Sequence, residues 1–237
     1  MEESKGFGRR EFLKSAVAGG AAAASAGLSQ AAQAQQQPSA AQPSAAAGYA
    51  YLNLDEAAFV EALVDHMVPG DGPTPKGTVI GINIYIDRAL AGSWGKGDRL
   101  YMQGPWKPGV PEQGYQLPLT PAELYRAGIA ATNRHCVKTY GKPFDKLAEG
   151  EREEVLKGLD SGKLSFDGGL SSRVFFSTVY QTVMEGLFAD PIYGGNRDKA
   201  GWKMVGFPGV VAVHQQNIVK FKDKRFPGEP TSIADMS

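Results

Sequence analysis

Cysteine is nearly missing from this chain: Cys136 is the only one in 237 residues. A disulfide framework within the chain is therefore impossible, even in a compartment that would permit one. The same count excludes c-type haem attachment, a cysteine-held iron–sulfur cluster and a cysteine-rich zinc site. Histidine is scarce as well, with His66, His135 and His214 alone. No His-Glu-x-x-His run occurs, and Asp65 beside His66 on a helix puts the two side chains on different faces. These histidines read as surface or internally satisfied groups. Charge of one sign is also lacking, since 25 basic residues stand against 25 acidic ones. That balance gives no electrostatic footprint for nucleic acid, which shows as a strongly basic patch or stripe. Long apolar runs are missing too: the longest, Ser15 to Leu28, is almost wholly Ala and Gly and is shorter than the roughly 20 residues that span a bilayer.

Catalytic signatures are equally sparse. No G-x-S-x-G elbow is present to expose a nucleophilic serine. Gly92-x-x-Gly95-x-Gly97 has the wrong spacing and flanks for a dinucleotide fingerprint. Gly168-Gly169-Leu170-Ser171-Ser172 precedes a helix and reads as a loop with a capping serine, although a helix start can also bind an anion. Glu153 and Glu154 are sequence neighbours, so on a helix they point apart.

What is present begins with an export signal. Polar residues lead to Arg9-Arg10-Glu11-Phe12-Leu13-Lys14, then the Ala/Gly run, then Ala32-Gln33-Ala34. Charged, apolar and small-residue regions in that order make a cleavable signal, and the arginine pair before a weakly apolar run indicates the twin-arginine route. Arg9, Arg10, Phe12 and Leu13 are the export determinants, and Ala32 and Ala34 mark the cleavage site. The expected organisation is a signal peptide over 1–34, a flexible Gln/Pro/Ser/Ala linker over 35–49, and a single domain over 50–237. Roughly 200 residues are enough for one domain with a real core.

The domain reads as mainly α: a small, irregular helical unit with long Gly/Pro/aromatic-rich arms that pack on a partner. Asn53 with Glu56 forms a capping box before a helix from Leu54 to Val68, with Phe59, Leu63 and Met67 as its apolar stripe. Val79 to Leu90 favours a helix over a strand. Thr120-Pro121-Ala122-Glu123 opens a third helix, expected to bury Leu124, Ile129, Cys136, Val137 and Tyr140. Glu149 to Leu159 is a short charged helix that turns Val155, Leu156 and Leu159 inward. Ser171 to Phe188 is a long one, with Val174, Phe175, Thr178, Val179, Thr182 and Val183 near one face.

Two stretches escape this pattern. Residues 91–119 carry Trp94, Tyr101, Trp106 and Tyr115 among glycines and prolines, too long a stretch to be ordinary filler. Asp190-Pro191-Ile192-Tyr193-Gly194-Gly195-Asn196-Arg197 leads through Trp202 to Gly206-Phe207-Pro208-Gly209. Trp, Tyr and Arg are enriched at interface hot spots, and glycine admits close approach of another backbone. Composition alone does not choose between a loop folded on its own domain and one covered by a partner. Cys136 poses a similar choice, between a buried small hydrophobe and an intersubunit disulfide.

Arg9-Arg10-Glu11-Phe12-Leu13-Lys14, Ile86-Asp87-Arg88-Ala89-Leu90-Ala91-Gly92 with Tyr101-Met102-Gln103-Gly104-Pro105, and Glu185 through Arg197 to Gly209 together resemble the gluconate dehydrogenase subunit 3 family, the small (gamma) subunit of membrane-bound, flavin-dependent gluconate 2-dehydrogenase. The Tyr101 arm is more similar to the gluconate branch than to the shorter glucose, sorbitol or fructose relatives. The resemblance implies a complex in which a large subunit holds FAD and a multihaem cytochrome c passes electrons to membrane quinone. The small subunit would carry no cofactor or catalytic residue, would bring the large one to the twin-arginine translocase, and would reach the periplasmic side of the membrane only through the complex. Its contact residues would be Trp106, Tyr193, Arg197, Trp202 and Phe207 with Asn196 and Pro208, on a backbone shaped by Gly194, Gly195 and Gly206. A free-standing sugar-acid enzyme and a sugar-binding module are the competing readings.

Overall fold

The computed structural model describes residues 48–236 apart from Pro73, Pro108, Pro111, Glu112, Gly114 and Tyr115. Arg9, Arg10, Phe12, Leu13, Ala32, Ala34 and nearly all of the linker lie outside the described residues. Those described fall within one unit, Ser44–Ser237. Among them helix is the dominant secondary structure, and pairing between extended segments is limited to isolated bridges. The helices are α1 (Leu54–Met67), α2 (Gly77–Ile80), α3 (Ile82–Ala91), α4 (Pro121–Tyr140), α5 (Glu149–Asp160), α6 (Ser172–Phe188), α7 (Ala200–Val205) and α8 (Gln215–Lys220).

Local chemistry accounts for the starts of the three longest helices. The Asn53 side chain accepts from the Glu56 backbone N–H at 2.9 Å, and the Glu56 carboxylate accepts from the Asn53 N–H at 3.0 Å. Both are donors that a helix start leaves unpaired. Thr120 and Glu123 repeat the box at α4, with Pro121 in the first turn. Ser171 caps α6 by accepting from the Val174 N–H, so the Gly168–Ser172 stretch is the loop-and-cap expected. The three box and cap motifs place three of the longest helices within a residue of where the sequence puts them.

The second apolar segment is helical but divided. Gly81 sits at φ +86° between α2 and α3, ending one and starting the other. A side chain there would place its Cβ 2.5 Å from the Gly194 carbonyl oxygen and 2.8 Å from Arg197 Nε. The break therefore lets the 194–197 loop nest against the helix junction. Gly77 makes a similar approach to α1, with space for no Cβ beside the Val64 carbonyl.

α6 is the central strut, packed against α3, α4, α5 and α7. Phe175, Val179, Thr182, Val183 and Leu187 are buried on it. Tyr125 of α4 meets Phe175 edge-on at 6.1 Å, and its hydroxyl is paired with Thr182 Oγ1. Gly128 leaves room for that ring: a Cβ would lie 2.2 Å from Phe175 Cδ2. The buried face of α4 runs through Leu124, Tyr125, Gly128, Ile129, Thr132 and Cys136. Val137 is a correction to the expected stripe, for it is 51% exposed. One residue past Cys136 is a rotation of about 100°, which carries it off the buried face. Val155, Leu156 and Leu159 are buried on α5 as expected.

The start of the domain is tied down by one carboxylate. Asp87, only 2% exposed, accepts from the backbone N–H groups of Ala50, Tyr51 and Leu52 at 2.7, 2.9 and 3.0 Å. Tyr49 already belongs to the packed unit, since its hydroxyl donates to Glu61 and accepts from Asn83. Packing thus begins at the last residue of the expected linker, one residue before the expected start of the domain.

Candidate partner-binding surface

The motif that closes α6 has two jobs, and the structure separates them. A helix end leaves carbonyls without intrahelical partners. Here the Trp202 indole Nε1 donates to the Phe188 carbonyl at 2.7 Å, and the Asn196 side-chain amide donates to the Ala189 carbonyl at 2.9 Å. Asn196 in turn accepts from the Gly201 N–H at 2.8 Å. Both residues are buried, Asn196 completely. Glycine is required because the loop lies directly on the helix: a Cβ on Gly195 would be 2.2 Å from the Gly186 carbonyl oxygen, and one on Gly201 would be 2.1 Å from that of Leu187. Gly195, Asn196 and Trp202 therefore spend their surface inside the chain.

The rest of the motif faces outward. Pro191–Tyr193 forms one turn of 3₁₀ helix, capped by Asp190, whose carboxylate accepts from the Ile192 N–H at 3.0 Å. It leaves Ile192 49% and Tyr193 57% exposed. Gly194 follows at φ +102°. Asn196, Asp198 and Lys199 all adopt left-handed backbone, at φ 48°, 56° and 58°. Such conformations cost on the order of 1–3 kcal/mol each in residues other than glycine and persist only where the surroundings impose them. Here the Asn196 bonds and the Lys199–Asp235 ion pair at 2.5 Å supply that constraint. Arg197 is displayed on this strained turn, exposed. Phe207 stands edge-on to Trp202 at 5.3 Å and is still 39% exposed, beside an exposed Gly206 and a half-buried Pro208. Met204 and Val205 on α7 are exposed as well.

Beside this turn lies a cleft of about 560 Å³ lined by Tyr85, Arg88, Ala89, Gly92, Ser93, Trp94, Arg99, Ile192 and Tyr193. Tyr85, Arg88, Ala89 and Gly92 follow one another at i, i+3, i+4 and i+7, one face of α3 and its end. That spacing is the signal in the sequence that could have found them, and none stood among the expected contact residues. Tyr85 donates to the Glu185 carboxylate at 3.1 Å. Burial, reinforced by that neighbouring negative charge, pushes its phenol up to about 12.

The middle arm divides likewise. Gly95 is packed so closely on the end of α3 that a Cβ would lie 1.9 Å from the Leu90 carbonyl oxygen, and its own carbonyl accepts from the Ala122 N–H at 3.0 Å. Farther along, Trp106 is half-buried and Tyr101 is 79% exposed. Cys136 is fully buried in the core, and burial pushes its thiol up to about 11. A disulfide to a partner would require α4 to leave the core, so the buried-hydrophobe alternative is the one that fits. His214 is also internally satisfied, its Nε2 against the Pro208 carbonyl at 2.9 Å and its ring edge-on to Phe226. No cluster of His, Cys, Asp or Glu suited to a metal ion occurs among the described residues, and none of their helices is long and apolar enough to cross a membrane.

The described residues thus form a mainly helical domain that presents aromatic and arginine side chains on loops pinned by glycine contacts. The chain belongs to the gluconate 2-dehydrogenase subunit 3 family, which matches residues 54–209, from the first residue of α1 to the glycine that closes the motif. It is accordingly a small subunit of a dehydrogenase complex. Nothing among curated proteins or solved structures matches it.

Proposed function

We propose that this chain is the exported, non-catalytic small subunit of a periplasmic, membrane-associated gluconate or sugar-acid dehydrogenase. In this reading it escorts and stabilises an FAD-containing large subunit, and a multihaem cytochrome c carries the electrons onward. The family match over residues 54–209 carries the reading. The arginine pair and the Ala/Gly run that follows it support the export role. The twin-arginine pathway moves folded proteins, so the flavoprotein can take up FAD in the cytoplasm and cross while held by its signal-bearing partner. Tyr193, Arg197 and Phe207, exposed on constrained loops, are the contact residues this reading favours, with Trp106 on the middle arm. Gly195, Asn196 and Trp202 act behind them, holding the loop on α6.

The test is localisation of the large subunit. With Arg9 and Arg10 both replaced by Lys, the flavoprotein should accumulate in the cytoplasm and periplasmic dehydrogenase activity should fall to background. Undiminished periplasmic activity in that strain would overturn the escort role.

A further inference from the structure

We infer that the cleft between α3 and the Pro191–Tyr193 turn seats an acidic segment of the large subunit, with a carboxylate held between Arg88 and Arg99 and apolar neighbours resting on Trp94, Ile192 and Tyr193. This rests on the reading that the chain binds such a subunit. The cleft has two guanidinium groups among its lining residues, and no ion pair among the described residues engages either of them. The carboxylate that touches the lining, Glu185, is already taken up by the Tyr85 hydroxyl and by the Gln181 amide at 2.9 Å. A planar guanidinium offers a fork of N–H donors matched to a carboxylate, and two left open beside aromatic rings define an acidic occupant.

The wall is built to stay in place. Gly194 lies under Arg88 so closely that a Cβ would be 2.9 Å from its Nη1, while Gly195 rests on α6 and Asp190 caps the turn. A preformed wall reduces the ordering cost of association. The apolar surface also extends past the cleft. The Pro191–Tyr193 turn packs against residues 233–236, where Ile233 is 46% and Met236 53% exposed. Ile192 and Tyr193 remain about half exposed themselves. A small sugar acid would leave that rim in water, whereas a polypeptide covers it. Tyr, Trp and Arg in one patch are also the composition of an interface hot spot.

The experiment uses the complex of this chain with its co-expressed large subunit. Replacing both arginines by Glu (Arg88→Glu with Arg99→Glu) should weaken association by roughly thirtyfold or more, the scale for breaking a close charge pair at an interface. The paired Lys substitution should fall between, keeping the charge but losing the fork. A matched reversal at Lys138 and Lys163, which do not line the cleft, should leave association unchanged. Wild-type affinity should itself drop steeply with added salt, a measurement that holds even where the Glu variant folds poorly by circular dichroism. If the wild-type pair forms no complex, the proposed function itself fails. If the complex forms and the Glu variant binds as tightly as wild type, the cleft assignment alone is overturned. Displacement of the large subunit by D-gluconate would overturn it too, in favour of a small-molecule occupant.

Discussion

Cys136 illustrates how a single side chain takes its chemistry from where the fold puts it. Exported proteins with an odd cysteine invite a bridge between subunits. This thiol, however, is enclosed on the inner face of α4, and the loss of water raises it from an ordinary 9 to about 11. The thiolate is the reactive form, so both access and protonation protect it. At neutral pH the folded protein should resist Ellman's reagent on the timescale of minutes, while the same protein in urea reacts at one thiol per chain. Rapid labelling of the folded form would contradict this. Trp202 and Asn196 make the complementary point. Both belong to residue types that favour interfaces or turns, yet their side-chain N–H groups are spent on the two carbonyls at the end of α6.

At the scale of elements, the domain is held by contacts that join segments far apart in sequence. Asp87 is the clearest. Its carboxylate gathers three consecutive N–H groups from residues 50–52, fastening the incoming chain to α3. Replacing it with Ala leaves those donors unpaired, the Leu52 N–H in a buried position. The expected cost is about 2–4 kcal/mol, since hydrogen bonds to a charged group are worth more than neutral ones and orphaned donors add a desolvation penalty. Urea denaturation should report that loss, and limited proteolysis should show earlier cleavage between 48 and 53. Stability within a few tenths of a kcal/mol of wild type would mean that the clamp is incidental. Much of this level was legible beforehand. Capping boxes act within four residues, so α1 and α4 could be read from local sequence. The break at Gly81 could not, because its cause is the Gly194 carbonyl more than a hundred residues away. Val137 lies off the buried stripe because each residue turns a helix by about 100°, so a neighbour of Cys136 cannot share its face.

For the molecule as a whole, the buried and half-buried phenols set a limit on alkaline stability. Tyr49 and Tyr85 are raised from 10 to about 12, in both cases chiefly by burial and then by a neighbouring carboxylate, Glu61 for one and Glu185 for the other. Tyr125, fully enclosed, is raised further, chiefly by burial, with Thr182 opposing and Glu185 and Tyr85 adding to the rise. Folded values above unfolded ones mean that the neutral form is favoured by the fold. The contribution is complete below pH 10 and is lost as the pH rises through 10 towards 12. The urea midpoint should therefore decline steadily between these values, accompanied by the rise of phenolate absorbance on unfolding. An unchanged midpoint across that range would refute the assignment.

Sequence alone settled the helical class, the family, the capped starts of the principal helices and the inward faces of α5 and α6, because each depends on residues close together in the chain. It also determined that one cysteine can form no internal bridge. Only the tertiary structure divided the Gly- and aromatic-rich motif after α6 into Gly195, Asn196 and Trp202, which close the helix, and Tyr193, Arg197 and Phe207, which face outward. Only the tertiary structure joined Arg88 and Arg99 to Trp94 and Tyr193 in one cleft. The physical reason is that burial and proximity are properties of pairs. Whether an aromatic ring is spent on its own chain or offered to another depends on what the fold brings against it, and that partner lies beyond the reach of local pattern.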